Sequence, residues 1–312
     1  MAKTKDIQRR IKSIASTKKI TRAMEMVAAS KMRKAVEAAL ATRTYANLSW
    51  ETLMNLARSS DRGLAHPLLQ ARPEIKRQAL ILITSNRGLC GGFNTSVMAE
   101  ARRIIKGSED TTDLILLGRK GEAMSASFSV AASFVKDDVI TDSISIAPVV
   151  RMAIEGYLAG TYDRIFVAYT DFINAAKQVA RVKQLLPLLT ENSDGSLGLL
   201  GNDDKVGVSR QFVEDKTRQH LSAGTFRLEY AFEPDRATVL DQVVPRLVEI
   251  QLYQAVLESA ASEHSASMAA MHQATKAASD LVDELTLYYN KARQAHITAE
   301  IAEITAGVAA LE

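Results

Sequence analysis

Glycine and proline are confined to the middle of this chain. Neither residue occurs from Met1 to Arg62, nor from Arg246 to Ala306, a run of 61 residues. The stretch between holds fourteen of the fifteen glycines and all six prolines. Glycine loosens φ and proline removes an N–H, so both interrupt regular structure. A long helix is therefore expected at each end, bracketing one compact, turn-rich domain. The C-terminal run would extend about 90 Å as a single helix. A globular core has no use for that length, so the rod itself is the expected working part.

At 312 residues the length alone favours about two domains, but long helices absorb residues without adding a second core. No stretch approaches about 18 consecutive apolar residues, so no membrane-spanning helix is expected. The single cysteine, Cys90, excludes an internal disulfide and a dithiol switch within the chain. Net charge is only +3, yet the first 34 residues carry eleven Lys or Arg against Asp6 and Glu25.

That basic N-terminus has several readings. Arg-rich, acid-poor, Ser- and Thr-containing helices mark mitochondrial presequences and also nucleic-acid-binding helices. Against the first, the helical pattern runs some forty residues past the usual length without a cleavage-like break. Against the second, the first aromatic residue is Tyr45. A solvated helix face and a surface for a carboxylate-rich partner stay open beside them.

Both ends carry a partner-helix pattern. Leu257, His264, Met271, Ala278, Leu285, Ala292 and Ala299 form one heptad position. Ala260, Ser267, Ala274, Leu281, Tyr288, Ala295 and Ala302 follow three residues after each. Such 3–4 spacing is what a left-handed coiled-coil seam requires. Small seam residues predict close approach and a thin shaft. In the N-terminal helix the stripe reads Ile7, Ile11 and Ile14, then Ile20, Met24 and Val27 after a one-residue slip. Since both helices join one domain, antiparallel pairing is the simplest arrangement. Asp235 or Thr238 is the expected cap of the second helix, and Gly307 the point where it frays.

The middle reads as α/β. Ala79–Thr84, Asp113–Leu117 and Arg164–Tyr169 are continuous apolar runs, as strands buried on both faces should be. Helical stretches at Thr95–Ile105, Gly121–Ser127 and Ile144–Ala159 alternate with them, implying βαβ units and a mostly parallel sheet. Val179–Leu189 adds a candidate strand, and Glu191–Gly224 reads as a polar loop or hairpin insertion. The fold expected is thus a Rossmann-like α/β domain carried on a long antiparallel coiled coil. Its parts are residues 1–62, 63–235 (with an insertion at about 191–224) and 236–312.

Catalytic and cofactor constellations are weak. Thr84–Asn94 runs from a strand end into glycines, the place for a phosphate loop. The Walker lysine and hydroxyl are missing, and Gly88, Gly91 and Gly92 lack dinucleotide spacing. The glycines better suit a tight turn that brings backbone close to a partner. The five histidines show no metal spacing, and Ser85 sits in no nucleophile elbow. Neither a cofactor nor a metal is expected, and no residue is nominated as catalytic.

Three blocks carry a resemblance: Ile11–Lys34 (IKSIASTKKITRAMEMVAASKMRK), Ile83–Asn94 (ITSNRGLCGGFN) and Ser262–Leu311. Through them the chain resembles the γ subunits of F-type ATP synthases over its whole length. The resemblance implies a central rotor shaft, non-catalytic itself, whose terminal helices pair inside a hexamer of α and β subunits. The α/β domain would rest on the c-ring beside the ε subunit. Proton-driven rotation would then drive ATP synthesis or hydrolysis at β, with one copy of the shaft per complex.

The same resemblance implies site residues. Lys19, Arg22, Met24, Lys31 and Arg33 would face an acidic loop of β, with Cys90 close to that loop. Arg293, Gln294, Thr298 and Glu300 would contact β from the upper shaft. Tyr230, Phe232 and Glu233 would form the foot near the c-ring and ε. Residues 191–224 exceed the compact bacterial form and lie where photosynthetic relatives carry a regulatory insertion, whose cysteine pair is absent here. The implied location is peripheral, on the cytoplasmic side of a bacterial inner membrane. No transit peptide is expected, because the family pattern begins within about ten residues of Met1. The alternative from another class is a basic coiled-coil protein that binds nucleic acid.

Overall fold

The computed structural model describes residues 2–58, 66–108, 110–137, 143–188, 233 and 235–309. It divides into two compact units, Met1–Ala29 with Ser267–Glu312, and Ser30–Ala266. Helix α1 runs Ala2–Arg58 and helix α4 runs Arg236–Ala309, as the missing Gly and Pro require. Asp235 caps α4, accepting from Thr238 N at 3.0 Å and from Thr238 Oγ1 at 2.7 Å. Such a cap satisfies an orphan N–H of the first turn. The helix also starts early enough to include Pro245, and it passes through Gly307 rather than fraying there.

In the Ser30–Ala266 unit, five strands form a mixed sheet dominated by parallel pairs. They are β1 (Arg77–Ile83), β2 (Thr111–Leu117), β3 (Ser129–Phe134), β4 (Arg164–Asn174) and β5 (Lys177–Leu186). The order is β3-β2-β1-β4-β5, with β4 and β5 antiparallel and the other pairs parallel. Helix α2 (Phe93–Gly107) crosses from β1 to β2, and α3 (Ala147–Leu158) precedes β4.

Residue parity divides the core. Leu80, Leu82, Leu114, Leu116 and Ala168 pack with Val97 and Ala101 of α2. Ala79, Ile81, Ile83, Ile115, Leu117, Ile165 and Val167 pack instead with Val149, Val150 and Ala153 of α3 and with Val244, Val248 and Leu252 of α4. A sheet covered on both faces needs unbroken apolar strands, and each fully buried Leu or Ile contributes about 1.5–3 kcal/mol.

Two local expectations change. Strand β3 occupies Ser129–Phe134, where its Ala- and Ser-rich alternation gave no strand signal; it is an edge strand with alternate residues exposed. The stretch expected as a helix over Gly121–Ser127 is a 3-10 segment, Arg119–Met124, followed by a turn.

Polar links join α4 to the sheet within this unit. Lys136, just after β3, pairs through Nζ with Glu263 Oε2. Ser262 Oγ donates to Thr170 O at 3.2 Å, and Ser265 Oγ to Ala175 O at 2.7 Å. Gln178 Nε2 donates to Ser265 Oγ at 3.2 Å.

Candidate interaction surfaces

The unit formed by Met1–Ala29 and Ser267–Glu312 brings parts of α1 and α4 together. Lys18 Nζ donates to Ser279 Oγ at 2.9 Å, and Thr275 Oγ1 to Thr21 Oγ1 at 2.8 Å. Glu25 Oε1 lies 3.1 Å from His272 Nδ1. Residue numbers rise on one helix as they fall on the other.

Side-chain burial shows which stripe of each helix is covered. On α1 the covered positions are Ile7, Ile11, Ile14, Lys18, Thr21, Glu25 and Ala28, an unbroken alternation of three- and four-residue steps. No slip occurs. Ile20, Met24 and Val27, expected to continue the stripe, are 58%, 40% and 56% exposed. Lys18 and Glu25 can occupy the stripe because long side chains bury their stems and keep the charged end near a polar partner.

The α4 stripe shifts similarly. Met271, Ala278, Leu285 and Ala292 are covered as expected, as are the companions Ser267 and Ala274, but Thr275 is covered beside Ala274 and the later covered companions are Val282, Tyr289 and His296. Leu281 and Tyr288, placed in the seam by the sequence reading, are 42% and 54% exposed. From Val282 onward the companions lie four residues after the shared position rather than three.

Exposed Ile20, Met24, Met26 and Val27 make α1 apolar on a face turned to water, alongside exposed Lys19 and Arg22. A groove of about 650 Å³ lies beside them, lined by Ala15, Lys18, Lys19, Arg22, Met26 and Val282 among others. Arg22 reaches Glu25 at 3.0–3.1 Å. Hydrogen bonding from His272, reinforced by Arg22, holds the Glu25 carboxyl below the usual carboxylate range. The arrangement offers cations and flexible apolar side chains on one surface, suited to an acidic, partly apolar partner.

The remaining expected contacts are dispersed. Arg293, Gln294, Thr298 and Glu300 are exposed on α4, where Thr298 Oγ1 donates to Gln294 O at 3.0 Å and Glu300 accompanies His296 at 3.2 Å. Lys31 is half-buried and Arg33 exposed on the α1 portion of the Ser30–Ala266 unit. Tyr230 and Phe232 lie outside the described residues, as does the 191–224 insertion; Glu233 is exposed.

Cys90 is buried, so its thiol offers no surface in this chain. Asn94 Nδ2 donates to its Sγ at 3.2 Å and to Ser85 Oγ at 2.7 Å, while Asn94 Oδ1 accepts from Ser85 N at 3.0 Å. The turn presents Arg87, Gly88 and Leu89 outward instead. Leu89 and Gly91 take positive φ, 67° and 53°, which fits the expected tight turn. Sheets with this strand order usually bind ligands beyond the carboxyl ends of their strands. Here Asn86, after β1, bonds to the backbone of Lys136, after β3, and both Lys136 and Thr170 of β4 bond to α4. These bonds tie that end of the sheet to α4.

Among the described residues, no group of three or more His, Cys, Asp or Glu is placed to hold a metal, and no helix is long and apolar enough to cross a membrane. Sequence reasoning missed Lys18, Thr21, Glu25 and His272 as inter-helix residues, and Lys136 with Glu263. The strict 3–4 count onward from Ile14 would have found the α1 set; nothing local marks Lys136.

The family model for ATP synthase matches residues 3–311. The chain is 40% identical over 319 residues to the ATP synthase gamma chain of Legionella pneumophila, covering all of both chains. It is 39% identical over 322 residues to that of Herpetosiphon aurantiacus, covering 100% of this chain and 99% of the relative. Among solved structures, it is similar to a chain of the Euglena gracilis mitochondrial ATP synthase OSCP/F1/c-ring assembly. That match has a TM-score of 0.63 at 20% identity, covering 99% of this chain and 95% of the other. A chain of the Tetrahymena thermophila mitochondrial ATP synthase central stalk and c-ring matches at TM-score 0.56 and 23% identity, covering 82% of this chain and 99% of the other. At those identities the structural likeness speaks for the fold.

Proposed function

Since this chain belongs to the ATP synthase gamma chain family, we propose that it is the central-stalk rotor of an F-type ATP synthase, non-catalytic itself. It couples proton-driven rotation of a c-ring to ATP synthesis or hydrolysis at β subunits. The observation that carries this reading is end-to-end likeness to gamma chains at about 40% identity, over whole chains rather than a shared module.

Its proposed partners are an α3β3 hexamer, the ε subunit and the c-ring, with one copy per complex. The terminal helices form the shaft as an antiparallel coiled coil, a reading supported by the Lys18–Ser279, Thr21–Thr275 and Glu25–His272 contacts. The working parts are residues 1–62, 63–235 and 236–312. Lys19, Arg22, Met24, Lys31 and Arg33 face carboxylates of β. Exposure of Met24 among cations supports that assignment, because an apolar face turned to water gains by being covered. Near Cys90 the contact falls to Arg87 and Leu89, since the thiol is buried. Arg293, Gln294, Thr298 and Glu300 meet β along the upper shaft, and Glu233 belongs to the foot with Tyr230 and Phe232. The complex sits peripherally on the cytoplasmic face of a bacterial inner membrane.

Co-expression with α and β subunits, followed by size exclusion and an ATPase assay, tests the reading. A complex with one copy of this chain per three αβ pairs, hydrolysing ATP only when the chain is present, is expected. A well-formed hexamer that excludes the chain overturns the rotor assignment.

A further inference from the structure

A rotor must resist two motions of a helix against the domain that drives it: turning about its own axis and sliding along it. The hydrophobic effect is non-directional, whereas hydrogen bonds and ion pairs have preferred distances and angles. In the Ser30–Ala266 unit, α4 is also held farther back by His66–Asp241 and Gln254–Ala39, and Ser262, Glu263 and Ser265 tie it to the sheet side just before the unit's last residue, Ala266.

They reach separate parts of the sheet. Ser262 bonds to the β4 backbone at Thr170, and Ser265 to the backbone at Ala175 in the β4–β5 turn and to Gln178 of β5. Glu263 pairs with Lys136 after β3. The Lys136 side chain is only 4% exposed, and its backbone is held at both ends by Asn86, whose Oδ1 accepts from Lys136 N at 3.3 Å while its Nδ2 donates to Lys136 O. Asn86 Oδ1 also accepts from Arg119 N at 3.4 Å. A continuous polar path thus runs from the carboxyl end of β1 through Lys136 to α4.

We propose that Lys136 and Glu263 are positioning residues for torque transfer: a buried ion pair that locks α4 to the sheet against rotation and sliding where the helix leaves the unit. Ser262 and Ser265 complete the grip. The proposal rests on the rotor reading above. A pair serving stability alone would have no bearing on how many protons move per ATP. Removing one partner leaves a buried charge uncompensated, so the grip loosens on either side.

The test uses the full chain assembled with its α, β, ε and membrane sectors in proteoliposomes, comparing Glu263→Gln, Lys136→Met, Ser265→Ala and the charge exchange Lys136→Glu with Glu263→Lys. Expected is ATP hydrolysis within about twofold of the unaltered complex, with proton pumping per ATP falling about threefold or more in the two single charge variants. The charge exchange recovers most of the loss, and Ser265→Ala gives a smaller one. Unchanged pumping per ATP in the single variants overturns the grip. So does a loss that the exchange leaves unrestored and that tracks only a lower melting temperature. If the charge variants do not assemble, Ser265→Ala decides, and full coupling in it overturns the proposal. An unaltered chain that neither assembles nor supports pumping would instead overturn the rotor reading itself.

Discussion

His272 Nδ1 on α4 lies 3.1 Å from Glu25 Oε1 on α1, and Arg22 reaches the same carboxylate from one turn away. A carboxylate thus occupies a helix-pairing stripe where hydrophobic periodicity alone would put Met24. Its depressed pKa has a definite sign. The contribution is complete above the usual carboxylate range and is lost as pH falls through the lower folded value. Glu25→Gln is expected to flatten the acid side of the melting-temperature profile. His272→Ala should raise the pH at which Glu25 titrates, followed by its carboxyl carbon NMR shift. An unmoved titration would show that the histidine does not hold the carboxylate.

The corrected α4 stripe separates positions that look alike. Leu281→Gln alters an exposed side chain and should change stability by no more than about 0.5 kcal/mol. Ala278→Leu overpacks a covered position and should cost about 1–3 kcal/mol. Denaturant unfolding of both variants checks the register, and the reverse ranking would restore the three-residue companion set.

Gly118 has φ +110°, and a Cβ built there would stand 2.2 Å from Thr84 O. Thr84 Oγ1 donates to Gly118 O and accepts from Gly121 N, so the strand end has no room to yield. Gly118→Ala should destabilise by more than about 2 kcal/mol. A melting temperature within a degree or two of the unaltered protein would contradict this.

Asp163 accepts from Lys76 N at 2.9 Å, Arg77 N at 3.0 Å and Arg72 Nη1 at 3.0 Å. The backbone bond from Lys76 leads the effects that lower its pKa, so its support too is present above the usual carboxylate range and is lost in acid. Asp163→Ala leaves three donors without this acceptor and should cost about 1–3 kcal/mol at neutral pH. The gap between variant and unaltered protein should close as pH falls, a trend that chemical denaturation at several pH values can read.

Met24→Lys places a cation on the exposed α1 face without disturbing a covered stripe. Folding should be unaffected, while ATP-driven pumping by the assembled complex falls. Normal pumping would remove Met24 from the β contact.

Much of the architecture was legible because it depends on local chemistry. Absent Gly and Pro predicted both terminal helices, and Asp235 was legible as a cap. The apolar runs at Ala79, Asp113 and Arg164 marked β1, β2 and β4, since a strand buried on both faces cannot alternate. Strand β3 was missed because Ala and Ser are poor strand formers and an edge strand buries only part of itself. Of the candidate site, the basic character of α1 was legible in the sequence, whereas the exposure of Met24, which the helical pattern put in the covered stripe, and the burial of Cys90 were not.

Local chemistry alone specifies the helices and the α/β middle, and long matching motifs specify the family. Tertiary structure alone decided which stripe of each helix is covered. Ile20–Met24–Val27 and Lys18–Thr21–Glu25 each advance by one three- and one four-residue step, and contacts with Ser279, Thr275 and His272 on the facing helix select the second. Lys136 and Glu263, far apart in sequence, likewise gain meaning only as neighbours. Helix and strand formation are governed by interactions within a few residues. The choice of covered face depends on pair energies between distant residues, to which local periodicity is blind.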